Sequence, residues 1–110
     1  MKNISIKDDN LFLEINPKQN AEVSVRKIQN TINNTNSKKI FINLCGLNMF
    51  DAIKISSLIS AYGLADDVTR RFEVLADNKI VMGHIKLLGL SNLDVKMKEQ
   101  KDFSEKIYSI

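Results

Sequence analysis

The apolar residues change their spacing partway along the chain, and that change restricts the fold more than any other feature of the sequence. Ile4 and Ile6 alternate with polar neighbours, Asp8-Asp9-Asn10 interrupts, and Leu11, Leu13 and Ile15 resume the alternation. A period of two on both sides of an Asp/Asn turn predicts a β-hairpin. Pro17 ends its second strand, because proline cannot donate to a ladder. From Gln19 the step lengthens. Ala21, Val25, Ile28 and Ile32 fall on one face of a helix, with Glu22, Arg26, Gln29, Asn30 and Asn33 on the wet side. Asn33-Asn34-Thr35-Asn36-Ser37 breaks that helix, since these side chains compete for backbone hydrogen bonds.

The two periods then alternate. Ile40-Phe41-Ile42-Asn43-Leu44-Cys45 is nearly continuous apolar sequence and predicts a central strand covered on both faces. Gly46 to Phe50 reads as a loop, with Asp51 as N-cap of a second helix in which Ile55, Leu58, Ile59 and Tyr62 recur, and Gly63 as its C-cap. Phe72 to Ala76 is a short strand. Asp77 or Asn78 caps a third helix carrying Val81, Ile85 and Leu88, which Gly89 closes. Val95 to Met97 is an edge strand, and Phe103, Ile107 and Ile110 suggest a last amphipathic helix. The expected fold is one α/β domain spanning residues 1–110. Its mixed sheet has four or five strands, partly parallel, flanked by about four helices.

Composition fits this reading. A chain of 110 residues that is 44% hydrophobic can bury one core, and 26% charged residues is the globular norm. The net charge of +3 is mild, and Arg70 and Arg71 follow directly on Asp66 and Asp67. No stripe of Lys and Arg interleaved with aromatics occurs, so nucleic acid is not the expected partner. Cys45 is the sole cysteine, so no internal disulfide can form, and a reducing compartment is the simpler expectation. The first nine residues lack the apolar core of a signal peptide, and no apolar run approaches the ~20 residues that cross a bilayer. The expected location is cytoplasmic, without membrane insertion.

Little in the chain reads as chemistry. His84 is the only histidine, which leaves a zinc site short of ligands and a general base without a positioned partner. Cys45 ends a strand, where cysteine normally behaves as a small hydrophobe. Gly46, Gly63, Gly83 and Gly89 form no phosphate-cradling motif; Gly83, inside a helix, predicts close backbone packing. Asp8-Asp9 and Asp66-Asp67 read as solvated turns. No catalytic residue, metal site or cofactor is expected, and the chain is not expected to be an enzyme.

Two blocks carry a family likeness. Asn43-Leu44-Cys45-Gly46-Leu47-Asn48-Met49-Phe50-Asp51 runs from a central strand through a loop to an aspartate at a helix start. Leu87-Leu88-Gly89-Leu90 closes a later helix. Together with the element order, over nearly the whole chain, they resemble the STAS domains of bacterial anti-sigma factor antagonists and sulfate transporter tails. The resemblance implies a signalling role by docking on a protein, switched when a kinase phosphorylates the serine after the aspartate. A phosphate there adds about −1.5 to −2 charge at a helix N-terminus. Here the corresponding positions are Ala52 and Ile53, without hydroxyls, and Lys54 replaces the usual glycine. Ser56 and Ser57 lie a turn further on and are weak substitutes.

The expected function is therefore a non-catalytic interaction module. It docks through Asn48, Phe50, Asp51, Ala52, Ile53, Lys54 and Ser57 and the exposed face of the second helix, without phosphorylation. Expected partners are an anti-sigma-like kinase, a stress-sensing assembly or a membrane-transport complex served as regulatory subunit, with homodimerisation through the tail as a further option. Asp51 would also fit as a plain helix cap. The alternative on the same scaffold is a small-ligand or nucleotide sensor in the crevice lined by Gly46 to Asp51.

Overall fold

The structure, a computed structural model, describes residues 3–98 apart from 8 and 67. The expected tail helix with Phe103, Ile107 and Ile110 lies outside the described residues. Five strands and three helices follow in the order β1 (Asn3–Lys7), β2 (Asn10–Glu14), α1 (Ala21–Asn33), β3 (Lys39–Asn43), α2 (Met49–Ala65), β4 (Arg71–Ala76), α3 (Lys79–Leu87) and β5 (Leu93–Met97). The strands lie side by side in chain order, β1-β2-β3-β4-β5. β1 pairs antiparallel with β2 through a turn in which Asp9 takes φ 64°, a conformation Asp tolerates better than most residues. The other three pairings are parallel.

This order decides where the core sits. Each of the three parallel crossovers steps to the next strand in the same direction, and right-handed crossovers then put every helix on one face. Burial follows. Leu11, Leu13, Ile40, Ile42, Phe72 and Val74 point into the helical layer and are at most 3% exposed. Their neighbours Phe12, Glu14, Phe41, Asn43, Glu73 and Leu75 lie on the other face and are exposed or half-buried. The expected two-sided cover of β3 is not seen among the described residues: the strand is central, and all three described helices lie on one side. Phe41, on the open side, stacks on Phe12 of β2 with ring centroids 4.7 Å apart.

Asparagine caps each of the three described helices. Asn20 accepts from the Glu22 and Val23 amides, Asn48 from Asp51, and Asn78 from Val81. α2 therefore begins at Met49, not after Asp51, because Asn48 reaches the free amides first. Gly63 is likewise no C-cap. It lies inside α2 and is buried, where a Cβ would come within 2.5 Å of the Phe72 ring. Gly83 has the opposite surroundings to those expected, since a Cβ there would meet nothing within 4 Å. Gly89 does close α3, with φ 62°.

Candidate docking surface

The loop from β3 to α2 is pinned from both sides. The Cys45 amide donates to Asn43 Oδ1 at 2.9 Å, and the Gly46 amide donates to Asp77 Oδ2 at 2.9 Å. Gly46 holds φ +89°, so glycine is required there. Asn48 and Asp51 bond reciprocally across the first turn of α2. The Asp51 amide donates to Asn48 Oδ1 at 2.8 Å, and Asn48 Nδ2 donates to Asp51 Oδ2 at 3.2 Å. The first bond is the N-cap half of a capping box; in the second the Asp51 carboxylate takes the side-chain amide of the cap, which engages it at the helix start.

The expected contact residues divide on burial. Phe50 is 80% exposed, Asn48 is exposed, and Ile53 and Ser57 are half-buried, so these four share the surface. Lys54 is exposed but engaged, bonded to Glu22 of α1, and this contact holds the Glu22 carboxyl below its ordinary range. Ala52 is fully buried and drops out of the docking set. Ser56 is also fully buried, with its hydroxyl unpartnered, so it cannot meet a kinase without unfolding the turn. Leu58, expected on the core stripe, is 40% exposed.

α2 lies between α1 and α3 and carries only two charged residues, Asp51 and Lys54. A helix apolar on all sides is normally buried on all sides; this one presents Phe50, Leu58, Ala61, Leu64 and Ala65 outward. Leu64 at 64% exposed, and Ile80 and Leu87 of α3 at 68% and 82%, escape the sequence reading. The available signal was the excess of apolar residues outside the 3.6-residue stripe of each helix.

Other features offer less. A concavity of about 250 Å³ on the open sheet face is lined by Ser5, Phe12, Glu14, Phe41, Asn43 and Leu75; no residue of the Gly46–Asp51 loop expected to bind a small ligand lines it. Burial raises the Cys45 thiol above its ordinary range, which disfavours the thiolate. His84 is exposed. No cluster of three or more metal-ligating side chains occurs among the described residues, and no described helix is long and apolar enough to cross a membrane.

Fold and surface together define a small α/β domain whose described helices form one layer on the sheet and carry exposed apolar side chains. No family model and no curated protein matches the sequence. Among solved structures it is similar to the protein TM1081, known from an NMR structure. The TM-score is 0.53 over 96% of this chain and 87% of that one, at 20% identity. A likeness at that identity establishes the shared fold.

Proposed function

We propose that this chain is a non-catalytic, cytoplasmic docking module of the STAS type that binds a protein partner through the outward face of α2. The observation that carries the reading is the charge-poor, apolar outer surface of α2, with Phe50 80% exposed at its tip. Large exposed aromatics on a rigid element are the anchors interfaces use. The loop before α2 is held by two side-chain hydrogen bonds, so the tip is presented in a fixed geometry and loses little entropy on binding. Regulation by phosphorylation at this tip is not part of the proposal: Ala52 and Ile53 lack hydroxyls and Ser56 is buried.

A photo-crosslinking residue placed at Phe50 in the native host, with one at Phe12 on the opposite face as control, tests this. The expected result is one protein adduct from position 50 and none from position 12. Once purified, the captured protein should bind the wild-type chain and lose at least ~30-fold in affinity for Phe50→Asp, the effect of one hot-spot residue. Equal affinity for both forms contradicts the proposal.

A further inference from the structure

The two edge strands of the sheet differ in cover. On β5, Leu93 and Val95 face the helical layer and are buried beside α3. On β1, Ile4 and Ile6 face the same way, opposite Leu13 and Leu11, yet are 54% and 60% exposed. No described helix buries them. β1 pairs with β2 over all five of its residues without a bulge, holds no proline, and carries one charge, Lys7, beside the turn. An edge with so little protection is a template for another strand.

The backbone of β1 dictates how a second strand can add. Successive residues of an antiparallel strand turn their N–H and C=O groups to opposite edges. The two-residue turn after β1 closes on the pair Lys7–Asn10, the bonded pair of such a hairpin. Ser5 and Lys7 therefore bond to β2, and Ile4 and Ile6 turn their backbone groups outward. A second β1, antiparallel and centred on Ser5, places Ile4 of each chain opposite Ile6 of the other. Both pairs then exchange their N–H and C=O groups, and every outward group of the two residues is used. The same register gathers four isoleucine side chains on the helical face, sets Ser5 opposite Ser5 on the other face, and puts Lys7 opposite Asn3. No like charges meet. A slip of one residue would oppose isoleucine to serine, so the pattern specifies the register.

We infer that β1 is a self-association edge, through which two copies of this chain join antiparallel into one ten-stranded sheet, about a two-fold axis at the Ser5 pair. The contact is isologous, the same patch serving both copies. Residues opposite each other share a face, so both helical layers lie on one side of the joined sheet, and both α2 surfaces with them. A few backbone bonds and one isoleucine cluster make a small contact, which corresponds to a reversible dimer of micromolar affinity.

Sedimentation equilibrium of the full chain, across the micromolar range, tests this with wild type, Ile6→Pro and Phe103→Asp. Proline at position 6 removes an outward N–H and spares the ladder to β2, the placement edge strands tolerate. Wild type and Phe103→Asp are expected to show a monomer–dimer equilibrium, and Ile6→Pro to weaken it at least ~10-fold. Ser5→Cys and Lys7→Cys, each in a Cys45→Ala background and treated with oxidised glutathione, check the register. Two copies of Ser5→Cys meet at the axis and should form an intermolecular disulfide. The two copies of position 7 stand ~14 Å apart along the strands and should not. A chain that stays monomeric, a dimer that survives Ile6→Pro, loss of the dimer in Phe103→Asp, or cross-linking no greater at position 5 than at position 7 overturns the inference. Should Ile6→Pro fail to fold, the two cysteine variants decide alone, by the same criterion.

Discussion

Gly63 shows how much a single residue decides here. It is buried in the last turn of α2, where any side chain would strike the Phe72 ring at 2.5 Å and Asn92 Nδ2 at 3.0 Å. Beside it, Ser60 and Asn92 bond to each other, and Asn92 Nδ2 donates to the Ser60 carbonyl at 3.0 Å. Gly63→Ala should lower stability by about 1–3 kcal/mol, the range for overpacking a closed site, measured by urea denaturation. The change is the reverse of the usual helix-propensity gain from alanine. From the sequence, a glycine followed by Leu-Ala-Asp reads as a helix stop. What makes it a helix interior is a ring contributed from the next strand, and no local signal encodes that. Cys45 was only partly legible: it lies half-buried in the loop two residues past the end of β3, and burial pushes the titration of its thiol upward. Because the folded value exceeds the unfolded one, its stabilising contribution is complete below the ordinary thiol range and fades as pH rises through the folded value. Cys45→Ala should flatten that alkaline decline. The wild-type thiol should also react with a disulfide reagent at pH 8 more slowly than free cysteine.

At the scale of elements, the helices owe their ends to distant partners as much as to local sequence. α1 has no basic residue in its last turn. Arg70, on the connection before β4, supplies the positive charge instead. Its Nη1 donates to the Ile32 carbonyl at 3.1 Å and its Nη2 to Thr35 at 3.2 Å, with Asp66 Oδ2 3.4 Å away. The side chain is 5% exposed, so these bonds form out of water. Arg70→Met should cost about 2–4 kcal/mol by leaving buried carbonyls and a carboxylate without their partner, read by chemical denaturation. Arg70→Lys should recover only part of the loss, because an ammonium cannot span two diverging carbonyls in one plane. In the sequence Arg70 is one scattered basic residue beside two aspartates, and its role depends on a separation of 38 residues. The N-terminal caps were partly legible. Asn78 was one of two candidates, whereas at α2 the sequence reading took Asp51 and the cap is Asn48. The reciprocal bond between them explains why both residues are there.

Over the described residues, the molecule is a sheet with helices on one side and none on the other. A partly parallel sheet of four or five strands (the structure has five), with β5 at its edge, was readable from the alternation of periods two and 3.6. One-sidedness was not, because Ile40-Phe41-Ile42 is apolar at every position and alternation disappears where it was most needed. The side without described helices solves its exposure in two ways. Over β4 and β5 it carries the ion pairs Arg71–Asp94 and Lys96–Glu73, at 3.2 and 3.1 Å, which keep it wet while adding little stability. Over β2 and β3 it stacks Phe12 on Phe41, with the Lys39 ammonium 5.0 Å above the Phe41 ring. The helical side has no such arrangement along α2, where Phe50 and Leu64 face outward beside Ile80 and Leu87 of α3. Residues that exposed contribute little to folding, so Phe50→Asp should shift the melting temperature by no more than about 2 °C. The most direct measurement is the affinity of Phe50→Asp and wild type for the protein captured at position 50, taken with both melting curves. Docking through α2 predicts matching melting curves and a loss of ~30-fold or more in affinity; equal affinity at equal stability would contradict it.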